Sequence, residues 1–273
     1  MTTASTPDPG HEPTSPWWLS GTPIELAHHH LMQHSIAVPW HASTAAQLSE
    51  PERALLAETW LRRAAAEYFA VSKFAEFAIE LVAAMAPADI LSLCLRVGVD
   101  EVRHAELCAR MAELYSGAKP VPPFGRPAAE SDARPERHHA LANALVCVSE
   151  THSAALLSAI RNTTTDPAAH AVLSVMHADE VLHSQIGWSY LGYSIRSGGP
   201  SVIAEAAAMV PAVLRGLITE IEQRPDIAIT DAIRAHGVIS RAEERAVVWA
   251  CVTEVLVPGF AALGIPIGAS VAR

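Results

Sequence analysis

The chain has 273 residues, half of them hydrophobic and few aromatic, with a formal net charge of −10. That length permits one large domain or two small ones around a sizeable core. The acidic balance, with no basic stripe to meet phosphates, argues against nucleic acid as a partner.

The opening MTTASTPDPGHEPTSP carries neither a basic n-region nor an apolar h-region, so no secretory signal is expected. Residues 1–24 read as a disordered Pro/Ser/Thr-rich segment ahead of a single helical domain over 25–273. Trp17, Trp18 and Trp40 are apolar enough for the following segment to fold back onto the body. Within it, HHHLMQH runs from His28 to His34. Consecutive helical residues point in different directions, so only His30 and His34 can share a face. A solvated or partner-facing helix start outweighs a metal cluster there.

Beyond this point, long stretches without Gly or Pro, rich in Ala and Leu, predict an all-α protein. SEPE at Ser49 is a capping box, with Glu52 at its third helical position and Pro51 in the first turn. The helix it starts should run over 49–84. APAD breaks it, and a second helix is predicted over 87–115, stopped by Gly117. The stretch KPVPPFGRPAAESDARPE, residues 119–136, is too rich in proline to be helical and reads as a long connection. A third helix follows over 137–162. In TTTDP, Asp166 is an N-cap and Pro167 the first residue of a fourth helix that reaches 197. Two more helices are predicted at 202–223 and 240–263, the last opened by the capping box SRAE. Two tight hairpins joined by one long connection predict a four-helix bundle with a long crossover over 49–197, with additional C-terminal helices over about 200–264.

No uncharged apolar run approaches the roughly 18–20 residues needed to cross a bilayer. Cys94, Cys108, Cys147 and Cys251 show no CxxC spacing and read as free core thiols. Together these features predict a soluble, cytoplasmic protein without a membrane partner.

The chemistry lies in a repeated pattern. VDEVRHAE places Glu101 and His104 three residues apart, and ADEVLHSQ does the same with Glu180 and His183. At about 100° per residue each pair shares a helix face. Around Glu101 the same face carries Cys94, Val97, Gly98, Ala105 and Cys108; around Glu180 it carries Leu173, Met176, His177, Ser184 and Gly187. These are interior stripes, and a buried carboxylate is costly unless neutralised. On the first helix Glu67 stands among Trp60, Ala64, Ala70, Val71 and Phe74, whereas Glu76 lies on a polar face and is rejected. On the third, Glu150 stands among Val146, Cys147, Ala154 and Leu157. Counted from the turns, Glu67 matches His104 in height, and Glu150 matches Glu180. One Glu from each of two helices plus an E-x-x-H from each of the others is the donor set of a carboxylate-bridged dinuclear site. Mixed nitrogen and oxygen donors suit iron or manganese. The small residues near these positions, Gly98, Ala105, Gly187 and Ala70, either leave room for a cavity or permit close helix packing.

On DEVRH and DEVLH with Glu67 and Glu150, residues 50–197 resemble the ferritin-like diiron-carboxylate superfamily. Its members include bacterioferritin, rubrerythrin, ribonucleotide reductase small subunits, multicomponent monooxygenases and N-oxygenases. The resemblance implies two iron ions, with manganese or a mixed pair as alternatives. It also implies that Asp100 and Asp179 orient the metal-bound imidazoles through hydrogen bonds. Diiron arylamine N-oxygenases carry an extra histidine one turn before the last Glu. Here Met176 fills that place and His177 follows it, as a pocket-lining residue or an extra ligand. The oxidase or oxygenase branch is the expected function, with O2, a small organic substrate and an external electron donor as partners. Iron storage or peroxide removal is one alternative, and a helical protein with a structural or empty site another. The extra C-terminal helices could roof a substrate pocket or form a homodimer interface. Tyr68 points away from the face of Glu67 and His152 away from that of Glu150, so neither is assigned a role.

Overall fold

The computed structural model describes Met32, residues 37–119 and residues 135–267, giving only the helical path over 135–145. The segment 1–24, all of HHHLMQH but Met32, and residues 120–134 of the connection lie outside the described residues. Every regular element among the described residues is helical.

Helix α1 (Glu50–Ala83) begins at the predicted capping box. Glu52 accepts from the Ser49 backbone N–H at 3.0 Å and from its hydroxyl at 2.7 Å. Leu56, Trp60, Ala64, Phe74, Ala78 and Leu81 recur at helical spacing and form the buried stripe. The turn at 84–87 closes with the Ala86 N–H donating to the Leu81 carbonyl at 2.9 Å, and Met85 takes φ +49° where glycine is usual. Helix α2 (Ala88–Ser116) returns and ends at Gly117, φ +71°. Helix α3 (Pro135–Thr163) begins two residues earlier than its composition suggested, because Pro is tolerated in a first turn.

Helix α4 (Pro167–Gly198) is capped by Asp166, whose Oδ1 accepts from the N–H groups of Ala168 and Ala169 at 3.1 and 3.0 Å. The other oxygen of Asp166 accepts from the Thr44 N–H at 2.8 Å and the Ser43 hydroxyl at 2.9 Å. The cap therefore also fastens the short 3₁₀ turns at Trp40–Ala42 and Ala45–Gln47 to the bundle.

The pairs α1–α2 and α3–α4 pack as antiparallel hairpins, and α2 lies against α4 and α1 against α3. Helix α5 (Pro200–Gln223) packs on α3, followed by α6 (Asp231–Ala235) and α7 (Arg241–Ala250). The short helix α6 has no counterpart in the sequence reading, since five residues are too few for a periodic signal. The predicted last helix continues from α7 through a π-helical turn at Cys251–Leu256 into α8 (Val257–Ala262). Pro258 supplies the reason: it has no N–H for the preceding turn, and a widened turn relieves its clash with the carbonyl one turn back.

Two helical stretches, Pro200–Gln223 and Arg241–Ala262, are long and apolar enough to cross a membrane by length and composition. Neither is an uncharged run, because Glu205, Arg215 and Glu220 interrupt the first and Glu243, Glu244, Arg245 and Glu254 the second. In the fold, Val210, Leu214 and Ile218 of α5 pack with Val248, Val252 and Phe260, while Glu205, Arg215, Glu220 and Glu222 stay exposed.

Of the small residues expected near the ligands, Gly187 makes close helix packing and no cavity. A Cβ there would lie 3.0 Å from the Cys147 nitrogen and 3.1 Å from a Val146 methyl. A Cβ at Gly98 would meet nothing within 4 Å. All four cysteines are buried, and none forms a disulfide.

Candidate metal centre

The apolar core is interrupted midway along the bundle. On one side lie Ala64, Cys108 and Met176, on the other Phe74, Val97 and Ile186. Between them the four helices bring together all six residues singled out in the sequence. Glu67, Glu101, His104 and Glu180 form one group that could hold a metal ion, and Glu101, Glu150, Glu180 and His183 form another. Glu101 and Glu180 belong to both.

The spacing suits coordination better than direct ion pairing. His104 Nδ1 stands 3.6 Å from Glu67, 3.7 Å from Glu101 and 3.5 Å from Glu180. His183 Nδ1 stands 3.3 Å from Glu101, 3.7 Å from Glu150 and 3.5 Å from Glu180. Donors about 2.0–2.2 Å from a shared ion stand roughly 3–3.5 Å apart at octahedral to tetrahedral angles. Both Nδ1 atoms, together with one oxygen each of Glu101 and Glu180, are buried without a hydrogen-bond partner. Buried polar atoms are rarely left this way, and four orphans facing one another are what a cation would satisfy.

The far sides of the imidazoles are tied down. His104 Nε2 lies 3.1 Å from Asp179, and His183 Nε2 lies 3.5 Å from Asp100. With those carboxylates ionised, the Nε2–H groups donate outward, so that each imidazole, once its other proton is displaced, would turn an Nδ1 lone pair to a cation in the cluster.

Arg103, which the sequence reading passed over, is buried and joins the two aspartates. Its NH2 donates to Asp100 at 2.6 Å and to Asp179 at 2.8 Å. Arg96 adds a second donor to Asp100 at 2.8 Å. The signal was present in the spacing: Arg103 and Arg96 stand at i+3 and i−4 from Asp100.

The titrations reflect crowding of like charges in a dry site. Burial pushes Glu67 up to about 8, helped by the charges on Glu101 and Glu180 and opposed by His104. Burial also drives Glu150 well above the usual carboxylate range. At Glu101 and Glu180 burial acts upward too, but the two imidazoles outweigh it and hold both carboxyls low. His104 and His183 are disfavoured as cations by burial, yet the surrounding carboxylates raise both well above the ordinary imidazole value. At Asp100 burial is outweighed by His183, Arg96 and Arg103, which keep that carboxyl low. At Asp179, His104 and Arg103 outweigh burial in the same way. Protons on two glutamates and two imidazoles thus do the neutralising that divalent cations would do.

His177 is not part of either group. It is half-buried, with Nδ1 3.2 Å from the Arg161 guanidinium. Burial and Arg161 lower its pKa against the pull of Glu180. Glu76 is exposed and pairs with Lys73 at 3.5 Å, consistent with its rejection as a ligand. Tyr68 is exposed and His152 half-buried, and neither joins a cluster.

Compared with known proteins, the chain matches no family model, no curated protein and no solved structure.

Proposed function

We propose that this protein is a ferritin-like, carboxylate-bridged diiron protein that activates O2 to oxidise a small organic substrate. The observation that carries the reading is the pair of four-residue donor groups sharing Glu101 and Glu180. Two shared carboxylates between two imidazoles would hold two cations close together, and the four glutamates balance their charge. Two adjacent redox-active ions held there would supply the electrons that activation of dioxygen requires.

The protein's own groups have distinct tasks in this scheme. Asp100 and Asp179 keep each imidazole in one tautomer and orientation, and Arg103 holds both aspartates ionised. Glu101 and Glu180 are sealed from solvent, with 2% side-chain exposure each, while Glu67 keeps 16% and Glu150 10%. The less covered carboxylates lie on α1 and α3, so substrate approaches from that side. An external donor would return the electrons, and four buried cysteines outside any disulfide suit a reducing cytoplasm.

The test is metal analysis of the full chain after anaerobic Fe(II) loading. About two ions per chain, lost in Glu101→Ala and His183→Ala, is the expected result. Clearly less than one ion, or variants that bind as well as wild type, would sink the dinuclear reading. A large mineral load in a cage-sized oligomer would instead establish storage.

A further inference from the structure

Helix α6 and the turn after it close one end of the bundle. Ile233, Val238 and Ile239 are buried in the same apolar layer as Trp60, Ala64, Tyr115 and Leu173. Gly237 takes φ +91°, and a Cβ there would come within 3.1 Å of Trp60 and 3.2 Å of Leu173, so glycine is what lets the turn seat this deeply. Bonds to its main chain fasten it to two helices. The N–H groups of Thr165 and Asp166 donate to the Ala235 carbonyl at 3.0 and 2.9 Å, and Trp60 Nε1 donates to the His236 carbonyl at 3.2 Å. Arg63 NH2 donates to the Gly237 carbonyl at 2.7 Å, while its NH1 has no hydrogen-bond partner.

The side chain at the centre of this plug is His236, which is buried. Its Nδ1 lies 3.0 Å from the Tyr115 hydroxyl and its Nε2 3.2 Å from the Thr44 hydroxyl, which donates to Asp166 at 3.3 Å. Because Thr44 gives its hydrogen to the carboxylate, its oxygen accepts from Nε2–H, and Nδ1 accepts from Tyr115. A neutral ring completes this chain and a protonated ring breaks it. With a hydrogen on Nδ1 the Tyr115 hydroxyl loses its acceptor, and no other stands within hydrogen-bond distance of it among the described residues.

The charges around the ring are mixed. Asp166 at the α4 cap lies 3.6 Å from Nδ1, and Glu52 of α1 accepts from the Thr230 hydroxyl at the start of α6; both favour a cation. Arg63 of α1 opposes one, burial keeps Tyr115 of α2 neutral, and Arg234 of α6 is paired with Glu243 of α7 at 2.6 Å. Burial outweighs the pull of Asp166 and Glu52 and lowers the pKa of His236.

We propose that residues 231–239 are an acid-sensitive latch, released from the end of the bundle when His236 takes up a second ring proton. Release would bare Trp60 and Leu173 and open the layer of Ala64 and Cys108, which adjoins the carboxylate cluster. The latch does not depend on the diiron reading, and either can fail alone.

The test is amide hydrogen exchange, read by mass spectrometry on the full metal-free chain at about pH 8 and about pH 5 and corrected for the intrinsic effect of pH. A local readout is needed because the cluster groups raised on folding act on global stability with the opposite sign. Opening linked to one proton changes at most about tenfold per pH unit. Peptides covering 231–239 should therefore lose about tenfold in protection at the lower pH, while those from the middle of α2 keep theirs. His236→Asn keeps an acceptor for Tyr115, and His236→Gln keeps a donor for Thr44. Neither titrates, so exchange of 231–239 in both should be the same at the two pH values. If a variant leaves the turn open throughout, the wild-type ring decides: its NMR signal, identified by its loss in the variants, should titrate below the ordinary 6.5 and over the same range as opening. Unchanged protection in wild type, a pH dependence that survives both substitutions, or a ring that titrates at its ordinary value overturns the latch.

Discussion

Asp179 of α4 stands 3.1 Å from Nε2 of His104 on α2, while Asp100 of α2 faces His183 of α4 at 3.5 Å. Each DExxH motif therefore steadies the histidine of the other. The exchange requires α2 and α4 to be antiparallel and in register, so the bundle geometry and the tautomers of both imidazoles depend on each other. Replacing Asp179 by Asn keeps an acceptor but removes the charge that favours Nε2–H. Metal affinity should fall about 10–100-fold with the helical content unchanged. Competition against a chromogenic chelator measures it, and an unaltered affinity would count against the role of Asp179.

The sharing of Glu101 and Glu180 predicts unequal losses. Glu67→Gln disturbs one donor group and leaves Glu101, Glu150, Glu180 and His183 intact, so it should retain about one ion per chain. Glu101→Ala removes a donor from both groups and should retain far less. Equal stoichiometry in the two variants would contradict a shared carboxylate.

Stability should depend on pH in opposite ways without and with metal. Glu67 is raised from an ordinary 4.5 to about 8, chiefly by burial. A carboxyl raised on folding contributes stability that is full below its unfolded value and is lost as pH rises through its folded value. His104 and His183, also raised, act with the same sign. The lowered Glu101 and Glu180 contribute above their ordinary value of 4.5 and change little across this window. The Tm of metal-free protein should therefore fall from about pH 5 to pH 8. Divalent cations favour the ionised carboxylates, so the metal-induced rise in Tm should grow over the same range. Scanning calorimetry at several pH values tests both slopes; a metal-induced rise independent of pH would refute the exchange of protons for cations.

Arg103 has side-chain exposure of only 4% and neutralises two aspartates. Arg103→Leu copies the residue that stands at the matching place in the second motif, Leu182. It would leave Asp100 and Asp179 without their shared guanidinium, with His183 and Arg96 still on Asp100 and only His104 on Asp179. A loss of about 3–5 kcal/mol is expected by chemical denaturation of the metal-free protein. A change below about 1 kcal/mol, the scale of an exposed pair, would show that the buried network contributes little.

Local order was legible in the residues themselves. Caps at Ser49, Asp166 and Ser240, the stop at Gly117, and the inward faces of Glu67, Glu101, Glu150 and Glu180 follow from side-chain hydrogen bonding and the helical period, which act over a few residues. Counting heights from the turns was enough to pair Glu67 with His104, because a straight helix has a constant rise. What required the tertiary structure is everything that depends on a neighbouring helix. The crossing of the two aspartates, the burial of Arg103, the unpartnered NH1 of Arg63 and the packing of Gly187 against Cys147 are contacts between residues far apart in the chain. No periodicity within one helix encodes them. The charge state of the cluster belongs to the same class: each glutamate taken alone is an ordinary acid, and only their convergence in a dry interior forces some up and others down.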